Sequence, residues 1–288
     1  MIEPALNPES GFRRLRIDLV YDGTNFAGWA KQPELRTLQG ALEDALTRLV
    51  RTQVHTVVAG RTDAGVHALG QVAHVDIPVD ASNSRYRPAE DIWDLDHFKY
   101  RLNQMLDEDI RIQKVDLAFV NFDARFSANA RHYRYKLLDG NRDPLPLQRF
   151  DVARWFRPLD IELMNQASAP LLGKHDFFTF CRYREGSTTL RTLTEFNWSR
   201  TPEGLVICDI SADGFGWNMV RNLVGAAVCV GEGRFPKTWM TEILTAATRV
   251  SDSYVFPAHG LTLVGVDYPG EAELANIELC AYSPDPSF

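Results

Sequence analysis

The sequence predicts an α+β protein: a large, mostly antiparallel sheet with helices packed on it, laid out as two mixed halves of similar grammar. Two observations carry that prediction. Short β-branched or alternating runs recur from Leu15 to Val266, and runs with apolar residues at helical spacing separate them in both halves. The second half repeats the order of the first, so the division is placed near residue 120. Residues 1–120 form an N-terminal half, 121–270 a C-terminal half, and 271–288 an acidic tail.

The elements follow in order. Leu15, Ile17, Leu19 and Tyr21 alternate with polar neighbours, the pattern of a half-buried strand, which stops at the turn signal Asp22-Gly23. Thr37 suits the cap of a helix in which Leu38, Ala41, Leu42, Ala45, Leu46, Leu49 and Val50 recur at helical spacing. Val54 to Ala59 and Gln71 to Ile77 read as strands flanking a turn, and a helix from about Leu95 to Leu106 precedes a strand from Ile110 to Val115. In the second half, His132 to Leu138 is a strand and Ile161 to Leu172 a helix ending at Gly173. Leu193 to Ser199 and Val206 to Ala212 are two more strands. Asn218 to Val230 puts Met219, Val220, Leu223, Val224 and Ala227 on one helical face, and a helix from Lys237 to Arg249 precedes the last strand, Leu261 to Val266. Residues 80–92 and 270–288 read as loop or tail.

With 288 residues, 45% hydrophobic and 24% charged, the chain has ample apolar material for a sizeable core. No run approaches the roughly 18 apolar residues of a membrane span, and Met1-Ile2-Glu3-Pro4 lacks the basic-then-apolar layout of a secretion signal, so a cytoplasmic protein is expected. Cys181, Cys208, Cys229 and Cys280 are too scattered for a metal or redox pair and read as reduced, mainly buried thiols. The net charge of −7 hides its own distribution. Segments 76–97 and 271–288 each carry −4, which leaves +1 for the remainder, where basic stretches can dominate locally. Total charge therefore does not exclude RNA.

The turn Gly60-Arg61-Thr62-Asp63-Ala64-Gly65-Val66-His67-Ala68 places one carboxylate beside an arginine between two strands, a layout that suits a lone acidic nucleophile. On its own it better fits an ordinary turn in which Asp and Thr bond their own backbone. Phe122 to Lys136 is the most basic and aromatic stretch. On a strand, Arg131, Tyr133 and Tyr135 share one side and His132, Arg134 and Lys136 the other, an arrangement that suits base stacking with phosphate contact and also suits an amphipathic edge strand. Arg182 to Arg191 reads as a second basic loop. Asp63, His67 and His74 invite comparison with a metal site, but the intervening glycine and strand signal argue against continuous helix.

Several ordered motifs then carry a resemblance. Tyr21-Asp22-Gly23-Thr24-Asn25-Phe26-Ala27-Gly28-Trp29 with Gln32, the Asp63 turn, Phe122-Asp123-Ala124-Arg125-Phe126-Ser127-Ala128, and Arg131-His132-Tyr133-Arg134-Tyr135 are followed by Gly173-Lys174-His175-Asp176-Phe177 and Met219-Val220-Arg221-Asn222-Leu223-Val224-Gly225. With Pro257 to Leu263 and Tyr268-Pro269, the chain closely resembles the tRNA pseudouridine synthase A family over about residues 15–269. The resemblance implies two similar α/β halves sharing a central antiparallel sheet, and a homodimer with tRNA crossing both subunits. It implies isomerisation of uridine to pseudouridine in the anticodon stem-loop, at tRNA positions 38 to 40, with base flipping and without cofactor or metal. Asp63 matches the catalytic aspartate, Tyr133 the aromatic that contacts the target base, Arg61 a residue that helps extrude it, and Arg221 the arginine that pairs with the aspartate. Two departures stand out: the acidic stretch within 80–97 is longer than usual, and Gly214-Phe215-Gly216-Trp217-Asn218 varies before Met219. A noncatalytic RNA-binding protein using the same basic aromatic strand is the rival reading.

Overall fold

The computed structural model describes residues 11–78, 94–119, 121–182, 186, 188–246 and 255–270. Ten strands of the described residues form one sheet. Its N-terminal part contains β1 (Phe12–Tyr21), β2 (Thr56–Val58), β3 (His67–Pro78) and β4 (Ile110–Leu117). The other part contains β5 (Ala130–Leu138), β6 (Ala153–Arg154), β7 (Gly173–Asp176), β8 (Leu190–Arg200) and β9 (Val206–Ala212), with β10 (Leu261–Asp267) between them. The order is β4-β1-β3-β10-β5-β9-β8-β7, with β2 against β3 and β6 against β5. Most pairings are antiparallel; β10 with β3 and β5 with β6 are parallel.

Five α-helices of the described residues pack on this sheet: α1 (Leu38–Val50), α2 (Leu95–Met105), α3 (Ile161–Ser168), α4 (Met219–Gly231) and α5 (Trp239–Thr245). The α+β class expected from the sequence is what the chain adopts. Alternation in β1 buries Leu15, Ile17, Leu19 and Tyr21, and the apolar stripe of α1 buries Leu38, Leu42, Ala45, Leu46 and Val50. Each fully buried Leu or Ile contributes about 1.5–3 kcal/mol. Thr37 caps α1, its hydroxyl accepting from the Gly40 N–H at 3.3 Å.

Several boundaries differ from expectation for identifiable reasons. The helix expected to reach Leu172 leaves α-geometry after Ser168 and continues as a 3-10 turn over Ala169–Leu171, because Pro170 has no N–H to give the preceding turn. α4 is not a surface helix with one apolar face: nearly all its residues are buried, and only Arg221 and Asn222, in its first turns, are half-exposed. α5 ends at Thr245. The expected extension to Arg249, the loop 80–92, the tail from 271 and Cys280 all lie outside the described residues. Cys181, Cys208 and Cys229 are buried thiols, as expected. Among the described residues no helix is long and apolar enough to cross a membrane.

The topology places one connection at the seam of the sheet. β3 carries β1 on one edge, while β2 pairs with its distal part at Ala73–Val75 and β10 takes its proximal part at His67–Ala68. The β2–β3 connection, which contains Asp63, therefore emerges where β10 joins the two parts of the sheet.

Candidate active site

The turn that carries Asp63 is anchored on every side. Val66 donates its N–H to the Asp63 carbonyl at 3.1 Å, and Gly65 adopts φ +80°, a value that favours glycine. The Gln71 amide donates to the Gly60 carbonyl at 2.8 Å and to the Tyr21 hydroxyl at 3.1 Å, and that hydroxyl bonds the Thr62 hydroxyl at 2.8 Å. Trp29 donates its N–H to the Thr62 carbonyl at 3.0 Å. Gly23 packs so closely on Val66 that an added Cβ would lie 2.6 Å from its carbonyl carbon. A chain held at successive carbonyls and hydroxyls presents the intervening carboxylate in one orientation.

Across the seam, α4 delivers Arg221. Its Nη1 lies 3.6 Å from Asp63 Oδ2, its Nε donates to the Phe256 carbonyl at 2.6 Å, and Nη1 also reaches Asn218 Oδ1 at 3.4 Å. The expected Asp63–Arg221 pair is thus present as a geometry. The Asp63 side chain keeps 32% exposure, enough for a substrate to reach it, and that of Arg221 keeps 18%. Burial pushes the Asp63 carboxyl above its ordinary value, while Arg221, a hydrogen bond from Trp217 and the charge of Arg182 pull it back without fully cancelling the rise.

Tyr133 projects from β5 toward the same turn. It is almost wholly buried, its ring meets Phe215 edge-on at 5.2 Å, and a Cβ built on Gly60 would stand 3.7 Å from its hydroxyl. Burial, with Tyr21 and Asp63 as neighbours, drives the phenol pKa upward, so the hydroxyl keeps its proton. Arg61 is exposed on the turn itself. Asp63, Arg221 and Tyr133 therefore converge from three separate elements, with Arg61 on the rim.

Other sequence expectations fare differently. Arg131 does not present its guanidinium for phosphate contact: it donates to the carbonyls of Ala59 at 3.0 Å, Ala128 at 3.0 Å and Asp213 at 2.7 Å, and to that of Arg125. It ties the chain entering the Asp63 turn to β5. Tyr135 is fully buried, its hydroxyl donating to the Pro257 carbonyl at 2.7 Å. On the other side of β5, His132, Arg134 and Lys136 are answered by Asp267, Asp209 and Asp151. His67 is a structural bracket, its Nδ1 accepting from the Gly23 N–H at 3.0 Å and its Nε2 facing the Phe150 carbonyl at 2.7 Å. His74 accepts from the Ala124 N–H, and burial lowers its pKa to about 4. Among the described residues no cluster of three or more His, Cys, Asp or Glu is placed to hold a metal.

Residues that sequence reasoning did not single out also shape the site: Trp217, Phe215, Gln71 and Tyr21. In the sequence, Tyr21 and Gln71 read as strand residues, and Phe215 and Trp217 only as part of the varied stretch before Met219.

A fold of this class, with one partly buried carboxylate paired to an arginine at the seam of a mostly antiparallel sheet, can be set beside known proteins. The family model described as tRNA pseudouridine synthase matches residues 19–127 and 167–269. A tRNA pseudouridine synthase A from Frankia casuarinae is 51% identical over 266 residues, covering 92% of this chain and 93% of that protein. One from Mycobacterium leprae is 48% identical, covering 91% and 92%. The chain belongs to the tRNA pseudouridine synthase A family, a family of isomerases. Among solved structures, an H/ACA RNP bound to a substrate RNA containing 2'-deoxyuridine aligns with 75% of this chain and 53% of that chain, at 10% identity and a TM-score of 0.31, too remote to carry an argument.

Proposed function

We propose that this chain isomerises uridine to pseudouridine in the anticodon stem-loop of tRNA, at positions 38 to 40, with Asp63 as the nucleophile and the target base flipped out of its stack. Family membership supports tRNA uridine isomerisation. The observation that carries the assignment of Asp63 is its position: a carboxylate 3.6 Å from the Arg221 guanidinium, partly open to solvent, on a turn braced from both parts of the sheet. The reaction breaks an N-glycosidic bond, turns the base and rejoins it through carbon. The base loses a proton from the carbon that forms the new bond and gains one at the released nitrogen. Only the ionised aspartate can act as a nucleophile at ribose or base. Burial opposes ionisation, and Arg221 and the other donors around it sustain the charge.

Extruding a base costs a few kcal/mol, which contacts in the pocket offset. Tyr133, nearly buried on β5, is the aromatic assigned to contact the target base, and Arg61, exposed on the Asp63 turn, is the residue assigned to help extrude it. The homodimer with tRNA spanning both subunits belongs to the same reading and rests on the family resemblance.

The test is conversion of unmodified tRNA by the purified protein, with pseudouridine located by chemical adduct mapping. Conversion in the anticodon stem-loop is expected, and Asp63→Asn should lower it at least roughly a thousandfold while tRNA still binds. Binding without conversion would favour a noncatalytic RNA-binding protein, and substantial single-turnover activity of Asp63→Asn would remove the nucleophile assignment.

A further inference from the structure

β5 sends two same-side residues to the chain entering the Asp63 turn. Tyr133 faces Gly60, and Arg131, one step back along the strand, reaches Ala59. The Arg131 guanidinium forks onto the Ala59 carbonyl, with Nη2 at 3.0 Å and Nε at 3.3 Å. Its Nη1 donates to the carbonyls of Asp213 at 2.7 Å and Ala128 at 3.0 Å, and its Nη2 also to that of Arg125. Carbonyls from three segments thus converge on one planar group. Its charge faces carbonyl dipoles, whereas His132, Arg134 and Lys136 on the other side of the strand face carboxylates.

Each of the three segments is itself braced. Ala59 donates its N–H to the Val72 carbonyl at 2.8 Å and packs with Val72, Phe122 and Ala124 in a small buried cluster. The 123–128 loop is closed by the Asp123 N–H on the Ser127 hydroxyl at 2.9 Å and held by the Tyr268 hydroxyl on the Ala124 carbonyl at 2.7 Å. Asp213 is fixed to β8, its carboxylate accepting the Thr192 N–H at 3.0 Å. Beyond Ala59 the chain runs into the Asp63 turn. Beyond Asp213 it sets Phe215 edge-on to Tyr133 and enters α4, which delivers Arg221.

We propose that Arg131 is a positioning residue for the reaction: its guanidinium clasps the approach to the Asp63 turn to the loop that runs into α4, and so holds Asp63 and Arg221 at ion-pair distance across the seam. A guanidinium offers five donors in a rigid plane, whereas an ammonium offers three from one point and cannot serve carbonyls on opposite edges of that plane. At 3.6 Å the Asp63–Arg221 pair is near the outer limit of direct contact, so a small slip between the two segments weakens it. Arg182 and the Tyr133 phenol also bear on the carboxylate.

The inference rests on the reading of Asp63 as the reacting carboxylate, and its test separates the two. Arg131→Lys keeps the charge, so a changed Asp63 titration reports geometry. In the protein without RNA, isotope-labelled at its aspartate carboxyl carbons, the resonance that vanishes in Asp63→Asn gives the Asp63 midpoint. Arg131→Lys should raise that midpoint while Arg221 is present and leave it unmoved in an Arg221→Met background. In single-turnover conversion of tRNA, Arg131→Lys should slow the reaction by about ten- to a hundredfold, the scale of a small misplacement of a reacting group, with tRNA affinity held. A midpoint that stays put, or rises equally in both backgrounds, overturns the proposal. So does a rate that holds, or one that falls only through weaker tRNA binding. If Arg131→Lys does not fold, Arg131→Gln takes its place, with the larger rise expected where Arg221 is present. Failure of both variants to fold makes Arg131 a requirement of the fold and overturns the specific role. Conversion surviving in Asp63→Asn instead overturns the reading of Asp63 and leaves the titration to judge the clasp.

Discussion

Asp63 carries a conflict that its surroundings only partly resolve. Burial raises its pKa above the ordinary 3.8, and Arg221 is the largest influence pulling it back. If the ionised form reacts, the rate must fall as pH drops through the raised value, so the acid limb of kcat/KM should lie above 3.8 and not at it. Arg221→Met removes the strongest opposing influence. The limb should move further up and the rate near neutrality should fall, with Arg221→Lys intermediate because an ammonium cannot serve Asp63, Phe256 and Asn218 through one planar fork. Measuring the three profiles under single-turnover conditions checks this, and coincident limbs would show that Arg221 does not govern Asp63. Tyr133 sits beside the same carboxylate with its proton retained. Tyr133→Ala should weaken engagement of the target base by roughly 1–3 kcal/mol, whereas Tyr133→Phe should keep most of it if the ring face and edge do the binding. Equal losses in the two variants, with folding intact, would transfer the role to the hydroxyl.

Among the elements, the β2–β3 turn and the segment after β1 behave as one unit. Gly23 lies against the Val66 carbonyl, its N–H bonds His67 Nδ1 at 3.0 Å, and Val66 in turn holds the Asp63 carbonyl. The obstacle to a Cβ there is backbone, which cannot swing aside. Gly23→Ala should therefore destabilise the fold by about 1–3 kcal/mol and reduce conversion more than Gly270→Ala, where nothing lies within 4 Å of an added Cβ. Thermal unfolding and turnover of the two variants provide the comparison. The Asp63 turn was legible because its nine residues are contiguous, and β1 and α1 because burial on one side imprints a period on the residues. Arg221 was legible as a charge among apolar neighbours of a helix, but its partner came only from the family likeness. Trp217 and Gln71 were not legible, since their contacts join distant segments and leave no local pattern. β7 escaped for a different reason: Gly173-Lys174-His175-Asp176 has no buried side chain and pairs only at the sheet edge, with β8. Arg131 misled because a guanidinium that binds backbone carbonyls and one that binds phosphate look alike in sequence.

Across the whole molecule, a net charge of −7 must coexist with an RNA substrate. The basic strand β5 does not resolve this as its composition suggests, for Arg134 meets Asp209 at 2.7 Å, Lys136 meets Asp151 at 2.8 Å and His132 meets Asp267 at 2.8 Å. Those cations are already balanced within the sheet. Arg61 is exposed on the Asp63 turn, beside the proposed reaction site. Each phosphate neutralised contributes about 0.7 to 0.9 to the slope of log affinity against log salt, so tRNA binding should fall with a slope of several units despite the overall acidity. Arg61→Gln should reduce that slope by about one unit, whereas Arg134→Gln should leave it nearly unchanged because its loss frees Asp209 rather than a phosphate. Titrating tRNA into the wild type and both variants between low and physiological salt decides the matter. A flat wild-type response would contradict a backbone-dominated complex. A larger slope change for Arg134→Gln than for Arg61→Gln would place the RNA path along β5, away from the Asp63 turn.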